Sequence, residues 1–374
     1  MRRFCLVLVA GIAMVAFVGI AQQVSTPGPY KVLKTAKVGG LGGFDYIFAD
    51  DAGRRLYIPR GAVQGAAPAP ARVTVFDLDM LTPVGEIPNT RANGAAVDAK
   101  SGHGFASSKP VAMWDTKTLA LIKTIEVDAK CSPDGILADP FNQRIYVLSH
   151  PTMDATVIDA KDGTVLGTID LGGAPEQAVS DGKGRLYVVI QDKANVAVID
   201  AKTMKVTAHY DFGDKGSRCN GLALDAKNRV LFAACGQSGI PAVTPPQPMM
   251  VILSADDGKI LTSLPLAGGS DGALFNPATM EAFSSHGNGT MTIVKENSPT
   301  SFAVEQNLQT MAGAKTLTLD TRTNHILTMA AEYGPPPAPA TPPAEGAPPQ
   351  GRGGRGPARG PMVPDSFSVI VVGK

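Results

Sequence analysis

Seven polar residues recur at one position in an otherwise apolar setting: Asp45, Asn93, Asp134, Glu176, Asn220, Asp271 and Lys315. Each stands five places before a residue that closes a short apolar run. The closing residues are Asp50, Asp98, Asp139, Asp181, Asp225, Asn276 and Asp320. Carboxylates and amides converging from several chain segments are hard oxygen donors, suited to calcium or a similar cation. Arg60, Lys109, His150, Gln191, His286 and Glu332 fall at the ends of the runs that follow, and the register brings them to the same place. His150 and His286 would add acid/base groups or ligands for a softer metal. The same pattern also has a purely structural meaning, because short polar side chains cap strand starts and satisfy turn backbones.

The elements that must position these residues are strands. Asp134–Asp139, Arg144–Ser149, Ala155–Asp159 and Thr164–Ile169 form one unit of four short apolar runs. Glu176–Asp181, Arg185–Ile190, Asn195–Asp200 and Lys205–Tyr210 repeat it. The closing residues recur every 41 to 51 positions. Four strands at this period match one blade of a β-propeller. Apolar residues alternate along the runs, and no stretch after residue 21 keeps helical spacing. The seventh copy has three strands, Thr316–Asp320, His325–Ala330 and Phe367–Val372. Tyr30–Val38 precedes the first copy and is expected to supply the fourth strand, closing the ring and covering an open edge. The expected fold is all-β: a seven-bladed propeller of four-stranded antiparallel blades. Propellers bind ligands at the mouth of the central channel, where the inner strands begin. The polar positions should line that mouth.

Ile145–Ser149 followed by Ala155–Asp159, and Leu186–Ile190 followed by Val196–Asp200, resemble the YVTN-type β-propeller repeat. The resemblance spans residues 30 to 374 and weakens in the sixth copy, where Thr292–Lys295 replaces the Val-Ile-Asp ending. It implies an exported seven-bladed propeller, in a family where many members have no assigned enzymatic activity. The motif is structural and specifies fold better than function.

The first 21 residues read as a signal peptide: Arg2 and Arg3, an apolar run from Phe4 to Ile20, and small residues at the cleavage spacing. The mature protein, residues 22–374, is then a single periplasmic or secreted domain. The formal net charge is +1 and charged residues make up only 18% of the chain. That balance excludes a global field for nucleic acid or an anionic membrane. Residues 334–364 are rich in Pro, Gly and Ala and should form a mobile insertion in the last blade. With Gly61–Ala71 and Gly236–Pro248, it should emerge on the face of the mouth. Gly351–Gly356 resembles an RGG segment, but export favours a solvated insertion over polyanion binding.

Counting outward from the hairpin turn at Lys227 and Asn228 sets Cys219 opposite Cys235, within reach of a disulfide. The alternative is a pair of buried thiols. Cys131 is left as the free thiol, and Trp114 reads as core. No GxSxG, P-loop or HExxH motif is present. The functional expectation is a monomeric binding or scaffold protein that offers the polar mouth to a small molecule or a protein. Calcium is the candidate cofactor. The alternative is a metal-dependent hydrolase of lactonase type at the same mouth. Gluconolactonase-like propellers hold a central cation with acidic and amide side chains, and that likeness implies Glu176, Asn220 and Asp271 as the nearest matches in type, although their motifs do not align to this chain and they usually have six blades.

Overall fold

The computed structural model describes residues 26–64, 68–236, 247–335 and 360–374. The expected leader, residues 1–21, and most of the Pro-rich insertion lie outside the described residues. Among those described there are seven four-stranded antiparallel sheets and no helix. The seven sheets are consecutive blades of a β-propeller. Blade 1 comprises Phe48–Asp50, Arg55–Arg60, Arg72–Asp77 and Pro83–Pro88. Blade 2 comprises Ala92–Asp98, His103–Ser108, Val111–Asp115 and Leu121–Ile125; blade 3 comprises Pro133–Asp139, Arg144–Ser149, Asp154–Asp159 and Val165–Asp170; blade 4 comprises Pro175–Ser180, Arg185–Ile190, Asn195–Asp200 and Lys205–Asp211. Blade 5 comprises Cys219–Asp225, Val230–Cys235, Met249–Ser254 and Ile260–Pro265; blade 6 comprises Ser270–Asn276, Glu281–His286, Thr290–Ser298 and Ser301–Gln309. Blade 7 is assembled from both ends of the described chain. Leu317–Asp320, His325–Ala330 and Ser368–Gly373 form its first three strands, and Lys31–Lys37 pairs antiparallel with Ser368–Gly373 as the fourth.

The second strand of each blade explains the unbroken apolar runs. Successive side chains point to opposite faces of a strand, and both faces of a blade are covered by neighbours. Leu56 and Ile58 pack toward blade 7, while Tyr57 between them packs toward blade 2 against Trp114. Ile145 and Val147 face blade 2, whereas Tyr146 and Leu148 face blade 4. The described residues form seven such cores, one in each seam between blades, so stability is distributed around the ring rather than held in one centre. The outer strands have one face in water, and Leu121–Ile125 is exposed along most of its length.

Lys31–Lys37 completes the sheet, and Tyr30 and Gln306 fasten its entry. Tyr30 N donates to Gln306 Oε1 at 2.9 Å, and Gln306 Nε2 donates back to Tyr30 O at 2.9 Å. The Tyr30 hydroxyl bonds Glu281 Oε2, and Lys374 Nζ lies 2.8 Å from Glu281 Oε1. Both chain segments that complete blade 7 are therefore tied to one buried carboxylate of blade 6. In the other seam of blade 7, Arg54 of blade 1 pairs with Asp320 of blade 7 and with Asp79.

The three long connections at residues 61–71, 236–248 and 331–367 each join a second strand to a third. Their described ends lie on the face where the inner strands start. The base of the last is paired: Gly334 N donates to Pro361 O at 2.8 Å and Val363 N to Glu332 O at 2.9 Å. The ends of the 334–364 insertion are thus pinned rather than loose.

Candidate functional site at the channel mouth

Each inner strand of blades 2 to 6 carries a register shift at its start, between Ala92 and Ala95, Pro133 and Ile136, Pro175 and Ala178, Cys219 and Gly221, and Ser270 and Gly272. A bulge of this kind bends the strand and re-aims the extra side chain. The residues within these shifts include Asn93, Asp134, Glu176, Asn220 and Asp271, five of the seven expected mouth residues. Asp45 and Lys315 occupy the corresponding places just ahead of the inner strands of blades 1 and 7.

A glycine follows the polar residue at Gly94, Gly135, Gly221 and Gly272. Two show why. A Cβ on Gly135 would lie 2.9 Å from Glu176 O, and one on Gly221 would lie 2.6 Å from Ala273 N. Neighbouring inner strands converge too closely at the mouth for a side chain there.

The polar residues divide into linked groups. Asp134 Oδ2 lies 3.5 Å from His150 Nε2, and Glu176 Oε1 lies 3.4 Å from the same nitrogen. Asn93 Nδ2 donates to Asp134 Oδ1 at 3.0 Å. Gln191 Nε2 bridges Glu176 Oε1 and Asn220 Oδ1 at 2.5 and 3.0 Å. Across the mouth, Lys315 Nζ lies 3.1 Å from Asp45 and 3.8 Å from Asp271. Burial works against the Lys315 ammonium, but Asp271 and Asp45 outweigh it and hold its pKa above the ordinary value. Burial pushes the Asp134 carboxyl up to about 7, and the charges of Asp45 and Glu176 add to that while His150 opposes it. The His150 pKa is raised, first by its contact with Glu176, against an opposing burial effect.

Two residues outside the expected set join the site. The Tyr46 phenol has its pKa raised well above the ordinary value by burial and then by Asp134, Glu176, Asp45 and Asp271. All four mouth carboxylates thus act on one hydroxyl group. Gln177 spans the inner strands of blades 4, 5 and 6. Its Oε1 accepts from Leu222 N at 3.1 Å and Ala273 N at 3.0 Å, and its Nε2 donates to Ala273 O at 2.8 Å. Gln177 was visible as a polar residue inside an apolar run, beside Glu176. Below the polar rim lies a cavity of about 290 Å³, lined by Tyr46, Gln177 and apolar side chains such as Ile136, Leu274 and Leu317.

Two expected residues are placed elsewhere. Arg60 is only 1% exposed. It donates to Gly40 O at 2.9 Å and to Gly42 O at 3.3 Å, with its guanidinium 3.6 Å from the Phe367 ring centroid. It clamps the link between the closing strand and blade 1. Burial, with Arg72 nearby, lowers its pKa to about 10. His286 is fully buried within blade 6, where its Nε2 lies 3.0 Å from Thr292 Oγ1. Burial drops its pKa to about 3, so it is neutral and remote from His150 in role. The strand alternation that orients His150 to the mouth turns His286 into the blade.

Of the expected trio, Glu176 and Asn220 share the Gln191 amide and Asp271 lies 3.8 Å from Lys315. Among the described residues, Asp134, His150 and Glu176 instead bring one donor atom each within 4.8 Å of one another. Directly behind Asn220, Cys219 and Cys235 are joined in a disulfide with a Cα–Cα distance of 3.7 Å. Cys131 is a buried free thiol.

No protein-family model matches the chain, and no curated protein matches it. Solved structures show the likeness instead. The WD40 domain of Neurospora crassa Pan2 is similar over 92% of this chain and 95% of that one, with 11% identity and a TM-score of 0.63. A chain in the crystal structure of a mitotic checkpoint complex is similar over 88% of this chain and 95% of that one, with 11% identity and a TM-score of 0.61. The likeness is one of fold, a WD40-like propeller.

Proposed function

We propose that this propeller is an exported binding protein of the YVTN-type repeat group, monomeric and periplasmic or secreted, whose channel mouth takes a small cationic or hydrogen-bond-donating ligand. The observation that carries the reading is the charge balance of the rim. Asp45, Asp134, Glu176 and Asp271 face one opening, with Lys315 and His150 as the basic groups paired to them there. Bringing carboxylates together in a partly desolvated mouth is costly unless a positive partner arrives. The apolar cavity beneath would accept the body of a small molecule, a common arrangement in ligand sites. The fold is also one that serves as a protein-binding scaffold, and a partner that inserts a Lys or Arg side chain into the mouth would use the same chemistry.

A hydrolase of lactonase type remains the second reading, favoured by one observation. The Asp134 carboxyl, at about 7, is poised for proton transfer near neutrality.

The test is a thermal-shift panel of divalent cations, short diamines and guanidinium compounds, run on the wild type and on a D134N/E176Q double variant. The reading expects at least one class to raise the melting temperature of the wild type and not of the variant. Equal responses in both proteins would dismiss the mouth as the binding site.

A further inference from the structure

We infer that Asp134, His150 and Glu176 form a binding site for a single borderline transition-metal ion of the Zn²⁺ type, an inference that rests on the mouth being the ligand site. The trio differs from Glu176, Asn220 and Asp271, and the class of ion differs from calcium.

The distances carry the argument. A charge-assisted hydrogen bond between an imidazolium and a carboxylate closes to about 2.7–2.9 Å. His150 Nε2 stands 3.5 Å from Asp134 Oδ2 and 3.4 Å from Glu176 Oε1. The nitrogen is closed off from solvent and makes no hydrogen bond to either. Ligands bound tetrahedrally at about 2.0–2.2 Å lie about 3.3–3.6 Å from one another. Both separations fall in that window, and the third pair of donor atoms lies within 4.8 Å. Two of the three separations therefore have the spacing of ligands around a shared ion, both centred on the His150 nitrogen.

The donor set selects the ion. One imidazole nitrogen and two carboxylate oxygens suit Zn²⁺ and its neighbours in the first transition row, whereas calcium takes six to eight oxygen ligands. Three protein ligands leave a fourth position, which would open into the mouth. That is the pattern of zinc sites that accept water or a substrate group.

The surrounding contacts fit the role. Ligating carboxylates are commonly oriented by further hydrogen bonds. Asn93 Nδ2 holds Asp134 by Oδ1, leaving Oδ2 toward His150. Gln191 Nε2 holds Glu176 at Oε1 and is itself anchored to Asn220, next to the Cys219–Cys235 bridge. The site draws on the inner strands of blades 3 and 4 and on residues at the ends of their second strands. These two blades have short connections on this face, at 149–154 and 190–195.

The experiment is a titration of chelator-stripped protein with Zn²⁺, Co²⁺ and Ca²⁺, followed by calorimetry and, for Co²⁺, by visible absorption. The expected result is one Zn²⁺ per chain, bound at least a hundredfold more tightly than Ca²⁺, and a Co²⁺ spectrum of tetrahedral intensity. H150Q and D134N should each weaken Zn²⁺ binding tenfold or more while leaving the metal-free melting temperature within a few degrees. Q191A keeps all three ligands and should weaken binding about 10–100-fold. Zn²⁺ affinity unchanged in H150Q overturns the inference, as does Ca²⁺ binding as tightly as Zn²⁺. If no metal binds while diamines still act through Asp134 and Glu176, the metal site falls and the ligand-binding mouth stands.

Discussion

Every inner strand has a polar residue at each end, and the two ends use the same residue types for different purposes. At the closing end, the carboxylates accept from main-chain amides of the turn. Asp50 accepts from Gly53 N, Asp98 from Ser101 N, Asp139 from Phe141 N, Asp225 from Lys227 N and Asp320 from Arg322 N, at 2.7 to 3.2 Å. Asn276 does the same with Ala278 N. At the opening end, Asp134 and Glu176 accept from the side chains of Asn93 and Gln191 and face His150. A main-chain donor gives a carboxylate a structural task that any member of the fold must perform. A carboxylate satisfied only by other side chains, at a rim, is available to something else.

This contrast can be tested by breaking each end in turn. The largest loss is expected from D320A, about 3 kcal/mol, because it removes the buried partner of Arg54 and the acceptor of Arg322 N while Asp79 still holds Arg54; denaturant unfolding measures it. D139A should cost less, about 2 kcal/mol, because it leaves Phe141 N and the Ser180 hydroxyl without their acceptor.

A pH effect should follow from Glu296, buried beside the closing residue Asp225. Burial raises its pKa to about 7, opposed by the Asn228 hydrogen bond and reinforced by Asp225. The folded state therefore holds a proton there that the unfolded chain has released by neutral pH. The associated stability is complete below about pH 4.5 and is lost as the pH rises through 7. Unfolding midpoints between pH 5 and 8 should fall with this slope in the wild type, and E296Q should flatten it.

At the opening end, D134N and E176Q should stay within about 0.5 kcal/mol of the wild type, since each removes one of several mutually repelling charges. Their cost should appear in ligand response alone. A destabilisation equal to that of D139A would erase the distinction between the two ends.

The blade period and the closing strand were legible in the sequence, because strand alternation repeats in register, and the five-residue offset put the polar residues at the starts of the inner strands. The identity of the convergent trio was not. Seven positions are equivalent by register, and only side-chain reach decides which of them meet. Gln191 bridges Glu176 and Asn220, Lys315 lies beside Asp271, and His150 faces Asp134. The glycines after Asn93, Asp134, Asn220 and Asp271 were an available sign of close strand approach at the mouth. Arg60 and His286 end their second strands, whereas His150 stands one residue beyond its own; the linker glycines take one and the interior of blade 6 the other. Register predicts which end of a strand a residue occupies and leaves open which way the last side chain turns.

Blade 7 also sets an order of events in the life of the molecule. Lys31–Lys37 is made early, but its sheet partner, Ser368–Gly373, is made more than 300 residues later. Until then the seams beside blade 7 stay uncovered, and the Glu281 carboxylate waits for both Tyr30 and Lys374. Blades 1 to 6 can form in succession as the chain emerges, but the ring must wait for one late pairing. A chain carried across a membrane before that pairing would travel as an open string of blades or as no blades at all, and would be sealed only on the far side.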